Sequence, residues 1–336
     1  MITLGSMIIL LITAGALFGQ RARGSESAYP ADSALARYGH LQVRGKLLCD
    51  QRGTPVNLHG VFIRGLTREA KYVNEKCFRT MVDEWKVEVI RVPFMSAQWY
   101  SEPSYIGDAN YEGQLYKAIE LCEKLGVYCI VDWHVLGDGN PMTHAKEAEK
   151  FFTKLSKKYA KKTHLIYELC NEPNGKEVSW DGVVKPYAES MIRVIRKNAP
   201  ESIVIVGSST WSQDVDIAAR NPLTEKNILY AFHFYAGSHK QDLRDKVARA
   251  AQTLPLFSSE WGTSNYDAQG GPFVEESTKW IEFMRERNIG WCHYALTDFP
   301  ESAAMLKTNT PATGEWKQSD LTASGAFIVE YLKNGK

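Results

Sequence analysis

Eight nearly unbroken apolar runs, separated by amphipathic stretches, constrain this chain more than any other feature. The runs are VNLHGVFI (56–63), VEVIRVPF (87–94), VYCIVDWH (127–134), LIYELCN (165–171), SIVIVG (202–207), ILYAFHFY (228–235), LPLFSSEWG (254–262) and GWCHYAL (290–296). Helical periodicity lies between or after them at 114–125, 145–159, 186–198, 242–254, 275–287 and near 324–332. A strand that is apolar on both faces must be covered on both, as in a parallel sheet wrapped by helices. Eight such units predict an α/β fold, a single-domain (β/α)8 TIM barrel. The 336 residues suit it, since such barrels take about 250–300. A doubly wound sheet is the competing solution, but no glycine-rich turn follows the first run. GDGNP (137–141) follows the third and is a weak candidate for a phosphate loop.

The N-terminus departs from this pattern. MIILLITAGALF (7–18) is apolar or small throughout, too short for a membrane span of about 20 residues but suited to the core of a secretory signal. Ala14 with Ala16, or Ala22 with Gly24, offers a small-x-small cleavage site, although no Lys or Arg precedes the run. The expected organisation is a signal peptide over 1–24, a short tail over 25–36 and the barrel over 37–336. The expected product is secreted and monomeric, with no membrane attachment in the mature form. With 40 basic against 39 acidic residues and a net charge of +1, nucleic acid and anionic membrane surfaces are not expected partners. Six cysteines, Cys49, Cys77, Cys122, Cys129, Cys170 and Cys292, lack metal-ligand spacing. In an oxidising compartment some can pair, and six thiols allow 15 complete pairings.

The polar residues that interrupt the apolar runs carry the chemistry. In a barrel of this kind, functional groups gather at the C-terminal ends of the strands. The second run ends with Arg91, the third with Asp132, Trp133 and His134, and the fourth with Asn171 and Glu172. The sixth ends with His233 and Tyr235, the seventh with Glu260 and Trp261, and the eighth with His293 and Tyr294. Strands four and seven stand on opposite sides of the barrel, so Glu172 and Glu260 should face one another across the cleft. Two facing carboxylates are the minimum equipment for cleaving a glycosidic bond, and at roughly 5 Å one donates a proton while the other attacks the anomeric carbon. Glu168, which alternates with its strand neighbours, reads as a supporting group.

Any one of these residues alone has an ordinary structural reading, and it is their convergence on one end that favours a site. Arg91 can hold one glutamate ionised, His233 and Tyr235 can position or polarise the nucleophile, and Asn171 and His134 can bind sugar hydroxyls. Trp211, after the fifth run, offers an apolar face for stacking. No His-Glu-x-x-His or Gly-x-Ser-x-Gly occurs, so neither a metal nor a serine nucleophile is expected. No cofactor is expected either, because two carboxylates and water suffice.

The segments DWHVLGDGNP, IYELCNEPNG, PYAESMIRVIRKNAPESIVIVGSSTWSQDV, YAFHFYAGSHKQDLRD and SSEWGTS occur in this order. Together they resemble the family 5 glycoside hydrolases, among them the bacterial-type endo-β-1,4-glucanases, from about Gly45 to the C-terminus. The resemblance implies a polysaccharide substrate, Glu172 as acid/base and Glu260 as nucleophile. It places Arg91, His134, Asn171, His233 and Tyr235 around the reacting sugar, and Trp211 on the leaving-group side. The chain also departs from the family pattern. FIRGLTRE (62–69) puts Arg64 and Arg68 where a histidine and a stacking tryptophan are usual, and Met95 stands where a tyrosine is common. Tyr294 and Phe299 replace a tryptophan and a lysine. These changes leave β-1,4-glucan as the first expectation. Xylan stands second, including glucuronoxylan, because free arginines suit a uronate carboxylate. A non-catalytic carbohydrate-binding protein is the reading from another class.

Overall fold

The computed structural model describes residues 29–334, so the expected signal peptide over 1–24 lies outside the described residues. All eight apolar runs form strands: β1 His59–Ile63, β2 Val89–Met95, β3 Tyr128–His134, β4 Leu165–Glu168, β5 Val204–Val206, β6 Ile228–Tyr235, β7 Leu256–Gly262 and β8 Gly290–Leu296. Each pairs in parallel with its chain neighbour, and β8 returns to pair with β1, closing the barrel. Apart from Tyr294 every strand residue is buried, which is why the runs carry so little alternation.

Two apolar layers divide these side chains. Val89, Tyr128, Ile130, Ile166, Ile205, Leu229 and Phe257 fill the barrel interior. Ile90, Val92, Cys129, Val131, Tyr167 and Phe232 point outward and pack beneath the helices. Helix Lys185–Arg196, with Pro186 in its first turn where the missing N–H costs nothing, presents Tyr187, Met191, Ile192 and Ile195 to that outer layer. All six cysteines are free and buried. The pairing allowed from sequence is therefore absent, and the thiols serve as small apolar side chains.

Two elements differ from the sequence expectation. An antiparallel hairpin, Gln42–Arg44 with Leu47–Cys49, precedes the barrel; its strands are too short to show a period. The stretch expected as a tail over 25–36 enters helix Ala34–Tyr38, capped by Ser33. Ala34 and Leu35 are buried with Leu41 and Leu48 against the interior layer. Tyr128 donates to the Gly39 carbonyl at 2.6 Å, and Arg37 pairs with Glu88 at 2.7 Å. These residues plug the end of the barrel opposite the polar strand ends.

Strand β7 breaks its own period. Ala231 pairs with Phe257 and His233 with Glu260, while Trp291 pairs with Ser258 and His293 with Trp261. Strand β7 thus spends one residue more than either neighbour over the same span, a β-bulge. Phe257 and Ser259 face inward, so unbroken alternation would turn Glu260 outward. The bulge instead brings Glu260 to the cleft and Trp261 to the outer layer, against Phe234 at 5.2 Å between ring centroids.

Candidate active site

A layer of charged groups lies above the apolar interior. Arg91 from β2 is fully buried and paired on every side. Its Nε donates to Glu168 Oε2 at 2.7 Å, and Nη2 donates to Glu168 Oε1 at 3.1 Å and to Asn171 Oδ1 at 2.7 Å. Asp132 lies 3.0 Å from Nη2, and Nη1 donates to Glu260 Oε2 at 2.9 Å. The guanidinium also lies 4.4 Å above the Phe62 ring. One cation among so many acceptors is a buried network whose parts cannot be removed singly without leaving a charge uncompensated.

Glu260 takes a second bond from Tyr235, whose hydroxyl donates to Oε1 at 2.7 Å. Glu172, just beyond β4, is held differently. Its Oε1 meets His233 Nδ1 at 3.0 Å, and the other ring nitrogen meets Ser259 Oγ at 2.9 Å. Burial raises the Glu172 carboxyl to about 7, against the downward pull of His134 and Arg91. Burial also lowers His233 to about 4, so its ring is neutral at neutral pH. One carboxylate oxygen of Glu172 lies within 4.8 Å of one of Glu260.

The structure brings most of the expected residues together and corrects several placements. Glu172, Glu260, His134, Tyr235, Tyr294, Trp211, Arg64, Met95 and Phe299 all line one cleft of about 870 Å³. His233 lies beside Glu260, as expected, with a ring nitrogen within 4.8 Å of its carboxylate, but its direct hydrogen bond is to Glu172; it sits two residues before Tyr235, about 6–7 Å lower on the same face of β6. Asn171 is 1% exposed and sits under the cleft. Its Nδ2 lies 3.4 Å from both His134 Nε2 and the Val135 carbonyl. His134 Nδ1 is bound to Asp132 at 2.5 Å, which fixes the ring plane.

The two arginines expected to be available for a uronate are already committed. Arg64 Nε lies 3.3 Å from Glu301 and its Nη1 4.0 Å from Glu102, with the guanidinium 4.4 Å over Phe299. Arg68 is not in the cleft lining; it pairs with Asp298 at 3.4 Å beside Lys71. Each arginine is drawn to a carboxylate on the loop after β8, which the sequence offered no means of pairing.

Trp211 is 46% exposed at the cleft edge. Thr210, Trp211 and Ser212 all adopt left-handed backbone, with φ of 56°, 54° and 56°, a conformation that non-glycine residues rarely hold in succession. Trp211 N–H donates to the Pro173 carbonyl at 3.0 Å, and Ser212 Oγ to the Asn171 carbonyl at 2.7 Å. The turn is thus tied to the loop that carries Glu172.

Reading strand ends alone missed the cleft rim. Trp99 and Tyr100 follow β2, Tyr266 follows β7, and the cleft also takes Glu102, Asp267 and Glu301. Gly137 lets the loop after β3 approach, since a Cβ there would fall 2.3 Å from the Gln98 carbonyl. The adjacent aromatics in SAQWYSEP were the available signal. Glu172, His233 and Glu260 also form the one triad of possible metal ligands among the described residues, but Arg91 at 2.9 Å from Glu260 opposes a cation there.

A barrel whose C-terminal rim holds two carboxylates in opposite electrostatic settings defines a hydrolytic class, and the comparisons specify it. The model for Cellulase (glycosyl hydrolase family 5) matches residues 49–300. An Endoglucanase of Clostridium saccharobutylicum is 43% identical over 91% of this chain and 68% of its own length. Endoglucanase A of Evansella cellulosilytica is 43% identical over 84% of this chain and 57% of its own length. The catalytic domain of Thermobifida fusca endoglucanase Cel5A, solved in complex with cellotetraose, superposes with a TM-score of 0.85 at 33% identity, covering 90% of this chain and all of that one. The chain belongs to glycosyl hydrolase family 5 and is a glycoside hydrolase.

Proposed function

We propose that this protein is an exported endo-β-1,4-glucanase that cleaves by double displacement, with Glu260 as nucleophile and Glu172 as acid/base. The observation that carries this reading is the approach of the two carboxylates to within 4.8 Å in opposite surroundings. Retaining enzymes hold the pair at about 5–5.5 Å, whereas inverting ones need roughly 6.5–9.5 Å to admit water. Glu260, held by donors from Arg91 and Tyr235, attacks the anomeric carbon as Glu172 protonates the departing oxygen. Water then attacks the same carbon, gives a proton to Glu172 and releases Glu260. The long 3.4 Å contacts of Asn171 Nδ2 leave it able to exchange a protein acceptor for a sugar hydroxyl.

The sugar linked through its anomeric carbon to Glu260 lies over the neighbouring β8 and β1, where Arg64 and Tyr294 stand. The leaving sugar lies toward β5, under Trp211. Both arginines being neutralised by carboxylates supports an uncharged glucan over glucuronoxylan. The endoglucanase names of the relatives support the same choice. The deciding experiment follows product anomers by proton NMR during hydrolysis of a cello-oligosaccharide, with carboxymethylcellulose and glucuronoxylan compared by reducing ends. Initial β-anomer and faster turnover of the cellulose derivative are expected. Initial α-anomer would end the double-displacement reading, and faster turnover of xylan the glucanase reading.

A further inference from the structure

We propose that Ser259 is a positioning residue that fixes the tautomer of His233 and thereby keeps the proton on Glu172. The inference rests on the acid/base reading of Glu172 and follows from counting hydrogens. Arg91 donates to both oxygens of Glu168, so Glu168 is an acceptor. Ser259 Oγ lies 2.6 Å from Glu168 Oε1 and 2.9 Å from His233 Nε2. A hydroxyl has one hydrogen, and the charge-assisted, shorter bond to the carboxylate claims it. Toward His233, Ser259 then has only lone pairs, so Nε2 must carry the ring hydrogen.

A neutral imidazole protonated on Nε2 has a bare Nδ1. That atom faces Glu172 Oε1 at 3.0 Å. A carboxylate against a lone pair is two acceptors in contact; the pair bonds only when Glu172 holds the proton and donates it. The other charged groups around Glu172 are His134 from β3, Arg91 from β2, Asp132, Glu168 and Glu260. Of these, none is within hydrogen-bond distance of its carboxyl, and His134 turns Nδ1 to Asp132. The doubly protonated His233, which would reverse the bond, is opposed by burial.

The relay transfers no proton of its own. In the first displacement the Glu172 hydrogen passes to the glycosidic oxygen as the C1–O bond breaks and the Glu260–C1 bond forms. In the second, water supplies the oxygen bound to C1, returns a hydrogen to Glu172, and Glu260 leaves. His233 stays neutral throughout. The bulge in β7 makes this possible, because it points Ser259 and Glu260 inward from consecutive positions.

The test is the pH dependence of kcat/KM for Ser259→Ala, Ser259→Thr and wild type on cellopentaose and on a 2,4-dinitrophenyl β-cellobioside. The second substrate departs without a proton and is blind to the acid. Removing the hydroxyl frees the Nδ1–H tautomer to donate to an ionised Glu172. The alkaline limb on cellopentaose should then move about one pH unit lower in Ser259→Ala. Ser259→Thr should restore it, and rates on the dinitrophenyl substrate should change little. An unmoved alkaline limb in Ser259→Ala, or an equal loss on both substrates, overturns the proposal. Glu172→Gln separates the two readings. If it spares the dinitrophenyl substrate while Ser259→Ala leaves the limb in place, the acid/base reading stands and the relay falls. If it impairs both substrates equally, the acid/base reading itself falls.

Discussion

Glu260 and Glu172 are the same side chain placed within 4.8 Å of one another, and their surroundings make them different reagents. Glu260 receives a guanidinium N–H at 2.9 Å and a phenol at 2.7 Å, donors that stabilise a carboxylate. Glu172 receives neither; its direct partner is a neutral imidazole at 3.0 Å, and burial raises it to about 7. One carboxyl is prepared to give its electron pair and the other to hold a proton. The comparison teaches that the role is assigned by the donors around each group, and by which strand brings them.

The sharpest way to break this asymmetry is Glu260→Gln. Under the proposed mechanism it removes the nucleophile, and kcat on cello-oligosaccharides should fall by about 10⁴-fold or more, with oligosaccharide binding retained by calorimetry. Glu172→Gln comes next: a loss of about 10²–10⁴-fold on substrates with poor leaving groups, measured by reducing-end release. Arg91→Lys keeps the charge but loses the fork, and a roughly 10²-fold loss is expected together with a lower Tm by calorimetry.

The pH dependence sharpens the comparison. Wild-type hydrolysis of cello-oligosaccharides should decline as pH rises through about 7, where Glu172 loses its proton. Stability carries the same sign. The folded chain holds that proton more tightly than the unfolded one, whose carboxyl has its ordinary 4.5. Stability from this group therefore falls between pH 4.5 and 7. Thermal scans of Glu172→Gln should show less loss over that range than wild type. The smallest effect belongs to Trp211→Ala, with KM raised about fivefold for one lost stacking contact and kcat little changed.

The sequence carried the fold wherever a strand is buried on both faces, because burial leaves a continuous apolar run that needs no register to be seen. It carried the two carboxylates for the same reason: a charge at the end of such a run must face a cleft or a partner. The antiparallel hairpin over 42–49 was hidden because each strand spans three residues. The contact of His233 with Ser259 was hidden because a one-residue bulge, which turns Ser259 and Glu260 inward together, is invisible to a period-two reading. The commitments of Arg64 to Glu301 and Arg68 to Asp298 cross 237 and 230 positions, and only the closure of β8 onto β1 brings them together.

The bulge has an evolutionary corollary. Most of β7 is fixed by packing: Phe257 inside and Trp261 among the helices tolerate little change. Deleting one serine between them would restore strict alternation, with Phe257 and Glu260 still turned inward, Trp261 still outward and a single serine facing the helices. Such a chain would keep both carboxylates in the cleft and lose the inward hydroxyl that lies between Glu168 and His233. Keeping the nucleophile and keeping the hydroxyl beneath it are thus separable by one codon on this strand, and a family survey should count residues there before comparing pH profiles.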